Sequence, residues 1–299
     1  MQATAFARRS LAGDYLALTK PSILLLVLVT GLPALLLAQG APVAPFRALA
    51  ALLGTALASA GAGALNHYID RDIDAIMART RRRPLPAGRV PPRQALWFGL
   101  ALAALGTSVL GIWTTWTAAA IALGSIAYYT LLYTLWLKRR TPQNIVIGGA
   151  AGASAPLICW AAMTGSVGLP AWVMFAIVFL WTPPHFWSLA IFRTADYAAA
   201  GVPMLPVVAG EQSTKLQILL YTAVLIPTSL VPVALGSSGP LYASVALLLG
   251  AAFSVRAWRV FRAGLPGDCL SLFGFSIVYL LVLFGAMSVD VLVSSLSRV

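Results

Sequence analysis

A chain of 299 residues, 60% hydrophobic and only 9% charged, is not a water-soluble domain, where roughly a quarter of residues carry charge. Its two cysteines, Cys159 and Cys269, lie in or at the edge of apolar runs far apart in sequence, which leaves neither a disulfide framework nor a cysteine-rich metal centre. A net charge of +12 suggests nucleic acid, but the basic residues follow the ends of apolar runs, so no nucleic-acid partner is expected.

Apolar runs of about 17 to 25 residues cross a bilayer as helices. They occur over 22–38, 46–69, 94–114, 118–137, 144–163, 171–191, 216–235, 241–261 and 270–292. The fold class expected is all-α integral membrane, a bundle of nine transmembrane helices forming one domain over 1–299. The segment 1–21 precedes the first span, and no small-residue cleavage site follows that span, so it is read as retained.

If the spans alternate, all of the 20 lysines and arginines except Arg47 and Arg298 fall on one face. The positive-inside rule makes that face cytoplasmic, with the N-terminus inside and the C-terminus outside. The carboxylates gather there too: of eight, only Asp290 lies opposite. Acidic residues contribute little to orientation, so they need a separate cause.

The second span ends in Asn66-His67-Tyr68-Ile69-Asp70-Arg71-Asp72-Ile73-Asp74. Asn66, Asp70 and Asp74, spaced i, i+4, i+8, stack three oxygen-bearing side chains along a helical stripe about 12 Å long. Like charges at i, i+4 destabilise a helix, and a hard divalent cation such as Mg2+, which takes oxygen ligands and substrate phosphates, would reward them. Solvated residues at a helix end, helped by Arg71 and Arg79, would give the same spacing, and Asp72 at i+2 faces elsewhere. The run from Met77 to Gly88 follows, with Arg79, Arg81, Arg82 and Arg83 before Pro84-Leu85-Pro86. Guanidinium forks suit phosphate oxygens; a basic loop that only sets topology would look alike.

Asn66, Asp70 and Asp74 match N-x-x-x-D-x-x-x-D, and on that motif the chain resembles the UbiA superfamily of intramembrane prenyltransferases. Three stretches make it similar to the branch that farnesylates haem. These are Met77-x-Arg79-Thr80-x-x-Arg83-Pro84-Leu85-Pro86; Leu137 to Gly149, containing Lys138-Arg139-Arg140-Thr141-Pro142-Gln143-Asn144; and Thr182-Pro183-Pro184-His185-Phe186-Trp187, running through Asp196-Tyr197 to Val208. The superfamily's second motif, commonly D-x-x-x-D, is reduced to Asp196 with Ala200 four positions on, which leaves open the ligands of any second metal ion.

The resemblance implies a UbiA-type bundle with active-site loops at 71–93 and 192–215. It implies transfer of a farnesyl group from farnesyl diphosphate to a vinyl group of haem b (protohaem IX), giving haem O, in a bacterial inner membrane. Mg2+ would be the cofactor, held by Asn66, Asp70, Asp74 and Asp196 as catalytic and metal residues, with Arg79, Arg83, Lys138, Arg193 and Lys20 on the diphosphate. Membrane lipid and a downstream haem A synthase or oxidase-assembly protein would be partners. His185, after a proline pair expected to break or kink span six, and His67 are candidate haem-site residues, since ionisable groups within spans point to function; each could equally be a hydrogen-bonded packing residue. Tyr129, Tyr133, Trp181 and Trp187 are candidates for stabilising an allylic cation, against a plainer role in packing. A prenyltransferase acting on an aromatic or quinone precursor, or a transporter of an anionic substrate, are the competing readings.

Overall fold

The computed structural model describes residues 10–39 and 44–296; Arg8, Arg9 and Arg298 lie outside them. Among the described residues nine helical stretches are long and apolar enough to cross a membrane, and there is no strand. A short entry helix, α1 (Leu11–Leu18), precedes them, and its N-terminus is capped by Ser10, whose Oγ accepts from Gly13 N at 3.2 Å. The first three spans are α2 (Pro21–Gln39), α3 (Pro45–Ile69) and α5 (Pro92–Trp113), with the short α4 (Arg71–Ile76) between the last two. The fourth starts as α6 (Trp116–Ala127), and the fifth is α7 (Asn144–Gly152) followed by α8 (Ala155–Thr164). After α9 (Leu169–Phe192) come the short α10 (Thr194–Ala199) and α11 (Leu205–Val208), and then α12 (Gly210–Ala234), α13 (Pro240–Arg262) and α14 (Pro266–Leu296).

These spans match the sequence reading to within a few residues, with two differences. Helix α12 begins at Gly210, six residues before the apolar run, because its polar first turns are supported by an i, i+4 ion pair, Lys215 to Glu211 at 2.6 Å. Helix α9 is not broken by Pro183 and Pro184, both of which lie buried inside it. A proline within a packed membrane bundle is tolerated because neighbouring groups satisfy the backbone it frees.

Close approach of α3 and α5 rests on small residues. A Cβ at Gly61 would stand 2.6 Å from Ala103 N and 2.8 Å from Gly99 O, and Gly54 and Gly106 are similarly hemmed in. With no hydrophobic force between helices in lipid, such backbone contact supplies the packing energy. It fixes the axis of α3, and so the direction in which the Asn66 row points.

The span begun by α6 changes winding. Residues Tyr128–Trp136 form a π-helical stretch and Leu137–Arg139 a 3-10 turn. Thr134 Oγ1 donates to Tyr129 O at 2.7 Å, five residues back, and the wide turn brings the Tyr129 and Tyr133 rings into a stack with centroids 5.4 Å apart. Such bulges commonly mark functional sites.

The loop from Met77 to Val90 folds over one end of the bundle around a small second core of Leu18, Ala64, Leu85, Val90 and Ala95. Asp14 of α1 is 2% exposed and both its oxygens accept from Arg89 Nε at 3.0 Å, so this carboxylate ties the entry helix to the loop. At the opposite end Asp290 accepts from Gly239 N at the start of α13, a carboxylate against helix-terminal positive charge.

Candidate functional site

The Asn66 row survives the change of helix. Helix α3 ends at Ile69, yet Asp70 N donates to Asn66 O at 2.9 Å and Asp74 N to Asp70 O at 2.8 Å, so the i, i+4, i+8 stripe continues across the junction into α4. All three side chains are buried, at 3%, 1% and 2% exposure. A solvated helix end would leave them open to water.

Protein cations face that stripe. Lys138 Nζ donates to Asp70 Oδ2 at 2.5 Å, and Asn66 Nδ2 donates to the same oxygen at 2.9 Å and to Thr134 Oγ1 at 3.0 Å. Arg83 spends only Nη1 on Asp74, at 3.0 and 2.8 Å from its two oxygens, which leaves the rest of the guanidinium fork open. Lys20 Nζ donates to Asn66 Oδ1 at 2.6 Å and to Tyr129 Oη at 3.4 Å. Burial first, then the Arg83 charge, hold the Lys20 ammonium down at about 7, against the pull of Asp70. One oxygen, Asp70 Oδ1, is buried without a partner. Such an orphan acceptor is costly and is the atom on which an added cation would be best received.

Below the stripe lies a cavity of about 380 Å³. Thr55, Ala58, Ser59, Ala62, Gly63 and Asn66 follow one face of α3 along it for roughly 16 Å. Its polar end carries Lys20, Arg79, Arg83 and Lys138 against Asp70 and Asp74, an excess of positive charge that suits a multiply charged anion. The remainder is largely apolar, with Leu26, Val27, Ile126, Ile158, Val178 and Trp181 on its walls beside a few hydroxyl side chains such as Thr55, Ser59 and Thr182. Gly148 leaves room for Tyr133, because a Cβ there would stand 2.1 Å from the ring's Cδ2.

His185 also lines the cavity. Its ring lies between Trp181 and Phe273, centroids 4.3 and 4.6 Å away and nearly parallel to both, and Nδ1 is 2.6 Å from Ser276 Oγ.

The other residues proposed from sequence are placed differently. His67 is buried but off the cavity wall, its Nδ1 3.9 Å from Asp74 Oδ2 and without a hydrogen-bond partner. Arg193 and Asp196 pair with each other, Nη1 to Oδ2 at 3.8 Å, and do not line the cavity, although the next residue, Tyr197, does; at that distance the buried Oδ2 accepts no hydrogen bond. Burial raises the Tyr197 phenol above its usual value, opposed by Arg79 beside it. Among the described residues no three His, Cys, Asp or Glu side chains converge on one point to hold an ion unaided. Asp72 turns away from the stripe to Arg139, with both contacts at 2.7 Å, and that hydrogen bonding lowers it to about 2. Tyr129, Tyr133 and Trp181 line the cavity; Trp187 is fully buried elsewhere, edge-on to Tyr221. Thr134 and Ser276 escaped the sequence reading, since a threonine or serine within an apolar span has no pattern of its own.

A lipid-depth cavity with a cationic, carboxylate-bearing mouth on a nine-span helical bundle defines a class of intramembrane enzyme, and the match to the UbiA prenyltransferase family covers residues 27–284. The chain belongs to that family. Within it the chain is similar to the protoheme IX farnesyltransferase of Acidiphilium cryptum, 51% identical with 94% of this chain and 92% of the relative covered. It is likewise similar to protoheme IX farnesyltransferase 1 of Pseudomonas putida, 49% identical with 95% and 96% covered. In fold it resembles a digeranylgeranylglyceryl phosphate synthase, with a TM-score of 0.77 at 18% identity over 94% of this chain and 98% of that one. A UbiA homologue from Archaeoglobus fulgidus bound to DMAPP and Mg2+ superposes with a TM-score of 0.65 at 16% identity, over 91% and 99% of the two chains.

Proposed function

We propose that this protein transfers the farnesyl group of farnesyl diphosphate to a vinyl group of protohaem IX, forming haem O within a bacterial inner membrane. The observation that carries the reading is the cavity in which four basic side chains and a buried carboxylate row meet a long, largely apolar chamber. The similarity to protoheme IX farnesyltransferases across nearly the whole chain selects the acceptor.

The residues fit a hard divalent cation: the donors are oxygens, and Asp70 Oδ1 is buried with its lone pairs unused. Asp70 and Asp74, with Asn66 after Lys20 releases its oxygen, would hold Mg2+, and Asp196 could contribute only by moving to the cavity. Bound there, Mg2+ would supply Lewis-acid stabilisation to the departing diphosphate.

The chain's own side chains do the rest. Diphosphate leaves with the electron pair of the C1–O bond, and charge grows on its oxygens. Lys20, Arg79, the open side of Arg83, and Lys138 are fixed where that charge develops and stabilise it. Arg193 would serve only at the rim. The terminal vinyl carbon bonds to C1 of the farnesyl group, and water adds to the adjacent carbon with loss of a proton. An allylic cation would be quenched early by water, so the apolar walls exclude it, while Tyr129 and Tyr133 present ring faces to positive charge.

On this reading the N-terminus is cytoplasmic and the C-terminus periplasmic, and the product passes to a haem A synthase or an oxidase-assembly partner. The test is incubation of membranes containing the protein with haem b, labelled farnesyl diphosphate and Mg2+. Label on a porphyrin is the expected result; label on an aromatic quinone precursor would select the competing acceptor.

A further inference from the structure

We infer that the break in the fifth span, between Gly152 and Ser154, together with Ser125 opposite, holds the water molecule that adds to the vinyl carbon, and that Ser125 and Ser154 orient it. The inference rests on the farnesyl transfer to haem proposed above and adds to it the place where the hydration step occurs.

The sequence forces an unpaired carbonyl at this depth. Helix α7 ends at Gly152 and α8 begins at Ala155, with Pro156 in its first turn. In a continuous helix the N–H of residue 156 would bond to Gly152 O, and proline has none to give. Among the described residues no other donor reaches that oxygen. Gly152 lines the chamber, and a Cβ there would meet nothing within 4 Å. Irregular backbone at membrane depth persists where it lines a cavity, and a carbonyl that the protein leaves unpaired is completed by water.

The hydroxyls beside this break determine how such a water points. Ser125 Oγ is 2.8 Å from Ser154 Oγ, and the two hydroxyls donate to Ala151 O from 3.1 and 2.8 Å. Ser154 precedes α8, yet its side chain caps no N–H of that helix. The hydroxyl protons are therefore taken up by Ala151 O and the partner oxygen, and what remains for the chamber, which both serines line, is lone pairs. A water between these oxygens and Gly152 O can only donate to them. Its own lone pair then faces the chamber, as attack on a cation requires.

The depth fits the step. Ser125 lies one turn, about 6 Å, below Tyr129, whose hydroxyl is 3.4 Å from Lys20 Nζ at the cationic mouth. With the diphosphate at that mouth, C1 of the farnesyl group lies in the turn beneath. Bonding of C1 to the terminal vinyl carbon leaves positive charge on the adjacent carbon. The held water gives a lone pair to that carbon, the C–O bond forms, and the proton released passes to the departed diphosphate, which balances the reaction. One fixed water also reconciles a chamber walled against bulk water with a product that carries a hydroxyl group.

The test incubates membranes containing the full-length protein with protohaem, farnesyl diphosphate and Mg2+ in 18O-labelled water, and weighs the extracted porphyrins by mass spectrometry. Wild type should give the hydroxylated product with one 18O atom. In the double variant Ser125→Ala/Ser154→Ala the carbon cation should instead lose a proton from its neighbour, giving an alkene one water lighter, and the ratio of alkene to hydroxylated product should rise about tenfold. Ser125→Thr, which keeps a hydroxyl, should preserve the wild-type ratio. Binding of labelled farnesyl diphosphate serves as the folding control. If the double variant fails it, Pro156→Ala, which returns a donor to Gly152 O without touching a chamber side chain, carries the test with the same readout. An unchanged product ratio in a folded variant, or loss of all porphyrin labelling while diphosphate binding persists, overturns the inference and leaves farnesyl transfer standing. Failure of the wild type to label porphyrin would instead remove the functional reading beneath it.

Discussion

Lys20 Nζ lies 2.6 Å from Asn66 Oδ1, and Lys20 is the one non-glycine residue with positive φ, at 54°, among the described residues. The chain turns sharply between α1 and α2 to aim this ammonium at the carboxylate row. A left-handed L-residue costs about 1 kcal/mol, and such strain persists where the site over-determines it. Lys20→Gly and Lys20→Ala should therefore separate in stability but not in activity. Both should lose at least tenfold in kcat/KM for farnesyl diphosphate, while thermal unfolding in detergent should find the glycine variant the more stable, by about 1 kcal/mol. Equal activity of either variant to wild type would remove Lys20 from the diphosphate site.

The two aspartates of the row should differ in their response to metal. Asp74 has both oxygens on Arg83, whereas Asp70 has a buried free oxygen. Asp70→Asn should raise the Mg2+ concentration needed for half-maximal transfer by tenfold or more. Asp74→Asn, whose oxygens are shared with Arg83, should raise it less and weaken farnesyl diphosphate binding more, because Arg83 loses its anchor. Titration of each variant with Mg2+ at saturating diphosphate separates the effects, and chelation should silence the wild type. Identical Mg2+ curves for both variants would contradict the unequal roles.

The spans and the acid row were legible in the sequence for plain reasons. Hydropathy over about 20 residues reports directly on lipid, and i, i+4 spacing reports on a helix face, so the spacing of Asn66, Asp70 and Asp74 alone stacks them. What sequence cannot convey is pairing between distant spans. Nothing in the run around Lys138 says that it meets Asp70, 68 positions away, and nothing marks Ser276 as the partner of His185, 91 positions away. Residues 183 and 184 read locally as a break or a kink, and α9 runs through them without a break because the packed bundle around it tolerates the freed backbone groups. The reduced second motif groups Asp196 with the row and basic charge groups Arg193 with the diphosphate, yet Asp196 in α10 and Arg193 just before it lie off the cavity wall.

Packing between α3 and α5 makes a stability prediction independent of chemistry. Gly61 has backbone of the facing helix within 3 Å of where a Cβ would sit, whereas Gly124 has nothing within 4 Å. Gly61→Val should destabilise by about 1 to 3 kcal/mol, the usual cost of overpacking, and Gly124→Ala should be neutral or slightly stabilising through helix propensity. Unfolding temperatures of the two variants in the same detergent check this, and a Gly61→Val protein as stable as wild type would mean that the helices do not touch there.

Gly148 and Tyr133 offer a test of the cavity's shape. A Cβ on Gly148 would overlap the Tyr133 ring, and that ring stacks on Tyr129 and lines the chamber, so any shift of the ring alters the chamber's wall. Gly148→Ala should therefore reduce transfer by more than its effect on unfolding temperature implies. Replacing the ring by a smaller side chain removes the conflict, so adding Gly148→Ala to Tyr133→Leu should cost little beyond Tyr133→Leu alone. This non-additivity is what contact between the two positions requires. Strictly additive losses in the double variant would show that the alanine acts elsewhere, through α7 rather than through the ring.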